Sequence, residues 1–129
     1  MAANILIIED DLFLIAAYQA KLPLAGYKLR VATDGSEALA AIKEFTPDVI
    51  LLDLLMPRMD GFTFLETLHA QNELKTVPIV VTTNLSDKRY RERAELLGVK
   101  DFIIKSDTSL DDLVSKIQEV LQRYAVQAN

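Results

Sequence analysis

The chain has 129 residues, half of them hydrophobic, no cysteine, and 14 Lys plus Arg against 19 Asp plus Glu for a formal net charge of −5. That length accommodates one domain of ordinary size with a full core and leaves no room for a second. The missing thiol excludes disulfides, thiolate nucleophiles and thiolate metal sites, and the acidic balance argues against non-specific binding to nucleic acid or an anionic membrane.

In chain order, Met1-Ala2-Ala3-Asn4 carries no basic leader and enters an apolar run, Ile5 to Ile8, that reads as a strand. Leu12 to Leu22 follows as an apolar-rich helix. Pro23 falls late in it, where it removes a backbone donor and crowds the carbonyl of Gln19, so the helix is expected to kink or finish early. Gly26 marks the stop, and Leu29 to Ala32 is the second strand. Ala38, Leu39, Ile42 and Phe45 repeat at helical spacing, Pro47 precedes the strand Val49 to Leu52, and Leu65 and Leu68 continue the helical pattern. Pro78 stands before Ile79 to Val81. Tyr90, Ala94 and Leu97 lead to a stop at Gly98, and Phe102 to Ile104 is the fifth strand. Ser109, with Asp112 three residues on, caps a last helix whose stripe is Leu110, Leu113, Val114, Ile117, Leu121 and Tyr124.

Continuous rather than alternating apolar runs predict strands buried on both faces. Strict alternation of strand and helix predicts right-handed crossovers, hence an α/β fold: a doubly wound, five-stranded parallel sheet of order 2-1-3-4-5, flavodoxin-like. Residues 1–124 are expected to form the domain and 125–129 a tail. No run approaches the roughly 20 apolar residues of a membrane-spanning helix, and the expected location is the cytoplasm.

Asp53 is the most informative residue. It ends the buried run Val49 to Leu52, where a carboxylate is costly unless something compensates it. A parallel sheet gathers the ends of its strands at one rim, and three other ends are polar: Glu9-Asp10, Thr83 and Lys105. Three carboxylates brought together repel one another, and all-oxygen ligands suit a hard divalent cation such as Mg²⁺. If Asp53 attacks a phosphoryl donor, the oxygens of the transferred group need a metal on one side and fixed donors on the other, which the Thr83 hydroxyl and the Lys105 ammonium supply.

The chain carries an ordered set: Ile5-Leu6-Ile7-Ile8-Glu9-Asp10-Asp11, Asp53 with Met56-Pro57 and Asp60-Gly61, Pro78 five residues before Thr83, and Lys105. In that set it resembles a response-regulator receiver domain, the phosphoryl-accepting partner of histidine kinases and histidine phosphotransfer proteins. It implies that Asp53 accepts the phosphoryl group, that Asp10, Asp53 and the backbone carbonyl of Leu55 coordinate Mg²⁺, and that Glu9 acts largely through water. It further implies that Thr83 and Lys105 hold the phosphoryl oxygens, that Phe102 is an aromatic switch, and that the output surface is the fourth helix, fifth strand and fifth helix, read by a downstream protein. Neither nucleic acid nor membrane is an expected partner.

The chain departs from the family pattern after Lys105, where Ser106 replaces the usual cis proline. A non-proline cis bond costs about 2.5–4 kcal/mol, so a trans bond or a remodelled loop is expected. Asn84 follows the threonine where a small residue is usual. Leu55 and Leu85 stand at positions that tune hydrolysis, and neither can orient an attacking water, which implies a long-lived phosphoryl state. Lys88, Arg89, Arg91 and Arg93 concentrate charge on the fourth helix, read first as a solvated face and second as a docking surface. The single histidine, His69, is expected on an exposed part of the third helix. Two rival readings are a receiver-like scaffold acting without phosphorylation and a haloacid-dehalogenase-like phosphatase. The phosphatase wants an acid two residues after Asp53, where this chain has Leu55.

Overall fold

The computed structural model describes residues 2–56, 60–71, 77–84 and 88–128, and side chains as far as residue 124. Strands β1 (Asn4–Ile8), β2 (Lys28–Ala32), β3 (Val49–Leu52), β4 (Ile79–Thr83) and β5 (Asp101–Ile104) alternate with helices α1 (Leu12–Lys21), α2 (Gly35–Glu44), α3 (Gly61–Gln71), α4 (Lys88–Leu96) and α5 (Leu110–Ala128). All strand pairs are parallel, in the order β2-β1-β3-β4-β5. The predicted doubly wound topology is the observed one.

The side-chain period of two in a strand divides the apolar runs between two cores. Leu6, Ile8, Ile50, Leu52 and Val81 face one side with Phe64, Leu65 and Leu68 of α3 and Ala94 of α4. Ile5, Ile7, Val49, Leu51, Val80 and Ile103 face the other with Tyr18 of α1 and Leu113, Ile117 and Val120 of α5. Both faces of the central strands are therefore dry, which is why those strands carry no alternating polar residues.

Local chemistry sets the helix ends. Asp11 caps α1, its Oδ1 accepting from the backbone N–H groups of Phe13 and Leu14 at 3.0 and 3.2 Å. The helix finishes early, as Pro23 demands: Leu22 N–H still donates to Tyr18, and Pro23 then opens a 3-10 turn closed by Gly26 at φ 95°. Ser109 and Asp112 cap α5 reciprocally, with Asp112 N–H on Ser109 Oγ at 3.0 Å and Ser109 N–H on Asp112 Oδ2 at 3.4 Å. That last helix continues to Ala128, past the domain end expected at residue 124.

Candidate functional site at the carboxyl rim of the sheet

The ladder register brings the polar strand ends together. Ile8 pairs with Leu52, Leu52 with Val81, and Thr83 with Ile104, so Glu9, Asp53, Thr83 and Lys105 leave the sheet side by side. Carboxylate oxygens of Glu9, Asp10 and Asp53 lie within 4.8 Å of one another. Their environments differ: Glu9 and Asp53 are buried, at 1% and 7% exposure, whereas Asp10 faces solvent.

Lys105 bridges the two buried carboxylates. Its Nζ stands 2.5 Å from Glu9 Oε1 and 3.3 Å from Asp53 Oδ2. Burial acts to lower the ammonium's pKa, but the hydrogen bonds and charges of Glu9 and Asp53 outweigh it and the pKa is raised. Burial pushes Glu9 up to about 7, with the Lys105 hydrogen bond opposing and the Asp53 charge adding to the rise. Glu9 Oε2 meanwhile accepts from the N–H groups of Asp10 and Asp11 at 3.1 and 3.3 Å, which fixes the turn that presents Asp10. Asp53 Oδ1 accepts from Leu55 N–H at 3.3 Å. A cluster made only of oxygen donors, two of them dehydrated, has the composition a hard divalent cation requires.

The profile of the response regulator receiver domain matches residues 5–118. The chain belongs to that family. Its fold is shared with the chemotaxis protein CheY4 of Vibrio cholerae, at a TM-score of 0.85 and 28% identity, covering 93% of this chain and 99% of that one. The probable transcriptional regulator ycf27 of Porphyridium aerugineum is 35% identical over 120 residues, 93% of this chain and 48% of that protein. Response regulator PleD of Caulobacter vibrioides is 35% identical over 114 residues, 88% of this chain and 24% of that protein. The receiver thus spans about half the length of these curated relatives, or less.

Around the receiver's acidic cluster, Thr83 is buried at the end of β4, and Phe102 on β5 is half-buried against the α3 and α4 side of the core. Asn84 is exposed, but its Oδ1 accepts from Ser106 N–H at 3.1 Å. The Lys105–Ser106 peptide is trans, and residues Lys105–Asp107 form a 3-10 turn. Leu55 is half exposed, at 51%. Leu85 lies outside the described residues, as do Pro57 and Met59 of the loop after Asp53. His69 is exposed on α3.

Two features were not foreseen. Gly61 was legible only as part of a motif, and the structure supplies the reason for it: a Cβ there would stand 2.5 Å from the Asp53 carbonyl oxygen and 2.7 Å from Leu54 Cα. Glycine at that position lets the start of α3 close onto the backbone of Asp53, and Gly61 N–H donates to the Leu54 carbonyl at 2.9 Å. The second concerns α4, whose arginines are not simply a solvated face. Arg91 lies over the Phe102 ring at 4.7 Å and Arg93 over the Phe62 ring at 4.2 Å. The signal for these contacts, two arginines two residues apart on α4 and aromatics on other elements, becomes readable only once α3, α4 and β5 are placed together.

Proposed function

We propose that Asp53 accepts a phosphoryl group from the phosphohistidine of a histidine kinase or histidine phosphotransfer protein in a Mg²⁺-dependent reaction in the cytoplasm. The consequence passes to the surface formed by α4, β5 and α5, where a downstream protein reads it. The observation that carries this reading is the shared lysine, with one ammonium within 2.5 Å of Glu9 and 3.3 Å of Asp53 beside a third carboxylate from Asp10.

In the reaction an Asp53 carboxylate oxygen attacks phosphorus while the bond from phosphorus to the donor's imidazole nitrogen breaks. The electron pair goes to that nitrogen, which takes a proton from solvent, and the product is an acyl phosphate on Asp53. An ionised carboxylate needs no general base. The requirement is electrostatic: Lys105 and the Thr83 hydroxyl hold phosphoryl oxygens as charge spreads over them. Asp10, Asp53 and the Leu55 carbonyl would hold Mg²⁺, with Glu9 acting through water. Bound there, the cation supplies charge neutralisation for the phosphoryl oxygens. Phe102 then turns inward as Thr83 moves toward the phosphoryl group. Leu55 cannot orient an attacking water, so the acyl phosphate persists; its loss within seconds contradicts that part of the reading.

The experiment incubates the chain with Mg²⁺ and acetyl phosphate and follows intact mass. The expected result is a gain of one phosphoryl group, abolished in Asp53→Asn and by chelation of Mg²⁺, and retained in Glu44→Gln, whose side chain pairs with Arg30 away from the cluster. No gain in the unmutated chain, from either acetyl phosphate or a phosphorylated histidine donor, turns the reading to a scaffold that acts without phosphorylation.

A further inference from the structure

Ser106 and Asn84, the two positions where this chain departs from the family pattern beside its proposed phosphoryl ligands, are joined to each other. We infer that the Ser106 N–H to Asn84 Oδ1 hydrogen bond is a latch that makes Thr83 and Lys105 act as one unit, with Asn84 a positioning residue for phosphoryl transfer; this deepens, and rests on, the role proposed for Asp53.

The β4–β5 ladder ends at the pair Thr83 and Ile104. Among the described residues, no strand pairing ties the two segments together beyond it. Lys105 opens a 3-10 turn, and the first N–H groups of any helical turn lack a partner within it. Proline after the lysine would present no donor at all, whereas serine leaves an N–H that must be satisfied by water or by protein. Asn84 Oδ1 satisfies it at 3.1 Å, from the residue that directly follows Thr83. A connection therefore runs from Thr83, through one peptide link, the Asn84 side chain, a hydrogen bond and a second peptide link, to Lys105, the other proposed ligand of the phosphoryl oxygens. The acceptor's direction also explains how a bulky residue is tolerated after Thr83: its amide is turned to the β5–α5 connection.

The latch should matter most when both donors close on the same phosphoryl oxygens. Two loops that are already tied lose less freedom at that moment than two independent ones. A single exposed hydrogen bond of ordinary strength corresponds to roughly a threefold to tenfold effect. The latch uses the Ser106 backbone N–H and Asn84 Oδ1, and neither the serine hydroxyl nor the bulk of the Asn84 side chain.

The test uses the full chain with Mg²⁺ and acetyl phosphate, comparing wild type, Asn84→Ala, Ser106→Ala, Ser106→Pro and the double variant Asn84→Ala/Ser106→Pro. Phosphoryl gain is timed by intact mass, and Ser106 amide exchange is followed by NMR in the unphosphorylated wild type and Asn84→Ala proteins. Ser106→Ala keeps the N–H and should react at the wild-type rate. Asn84→Ala, Ser106→Pro and the double variant should all be slower by the same factor, about threefold to tenfold. The Ser106 amide should be protected in wild type and lose that protection in Asn84→Ala. An unchanged rate in Asn84→Ala, a Ser106→Ala protein as slow as Ser106→Pro, multiplicative effects in the double variant, or a Ser106 amide that exchanges equally in both proteins overturns the latch. Should Ser106→Pro fail to fold, Asn84→Ala, Ser106→Ala and the exchange data still decide. A wild type that gains no phosphoryl group counts against the role of Asp53, and the exchange data then decide the latch alone.

Discussion

Helices α4 and α5 flank the same edge of the sheet from opposite faces and are held there by different physics. The α5 helix buries Leu113, Ile117 and Val120 in the core shared with α1. It is further clamped to β5 by Asp101, a buried carboxylate that meets Lys116 at 3.2 Å and Arg123 at 3.0 Å. In α4 only Ala94 is buried. Its other contacts include an ion pair of Arg93 with Glu66 at 2.7 Å, cation–π contacts of Arg93 over Phe62 and Arg91 over Phe102, and the Tyr90 ring stacked on Phe62 at 5.7 Å. Apolar burial releases a helix only when the whole core opens, whereas pairs at the surface contribute little each and exchange readily with water. One side of the proposed output surface is thus anchored in a core, and the other is held by separable surface contacts. One of those contacts falls on Phe102, the residue proposed to respond to the phosphoryl group.

The comparison can be broken by removing what holds each helix. Ile117→Ala opens a cavity in the α5 core and should lower stability by about 2–5 kcal/mol in urea unfolding with an unchanged slope. Asp101→Ala leaves Lys116 and Arg123 able to reach water, so the expected loss is smaller, about 1–3 kcal/mol by the same measurement. Arg93→Ala should lower global stability by only about 0.5–1 kcal/mol, while amide exchange in α4 accelerates several-fold and that of α5 does not change. Salt should act most gently: raising NaCl from about 0.1 to about 1 M shortens the screening length from about 10 to about 3 Å, and α4 amides should exchange roughly twofold faster with α5 unaffected. Equal responses of the two helices in the last two measurements contradict the distinction.

How much of this was legible beforehand differs between layers. The five apolar runs carried the topology, because continuous runs leave few alternatives to a parallel sheet covered on both faces. Pro23 foretold the early end of α1, and Ser109 with Asp112 foretold the start of α5. Strand limits were less legible: β5 begins at Asp101, which reads as a turn residue until Lys116 and Arg123 are seen to neutralise it. The polar rim was legible in kind, because a parallel sheet must gather its carboxyl ends. The hydrogen bond between Asn84 and Ser106 was not, since it depends on how two loops curve after their ladder ends. Gly61 belongs with it, because a glycine admits a close backbone approach without naming the backbone it meets.

The most direct measurement of the central claim locates the phosphoryl group on a single atom set. Borohydride reduces an aspartyl phosphate to homoserine, leaving free carboxylates untouched, and peptide mass spectrometry then identifies the position. After reaction with Mg²⁺ and acetyl phosphate, the expected result is homoserine at position 53 and at no other aspartate, with Asp10, Asp11 and Asp60 unchanged. Conversion at Asp10, Asp11 or Asp60, or a phosphoryl gain that survives reduction without any homoserine, contradicts the assignment of Asp53 as the acceptor.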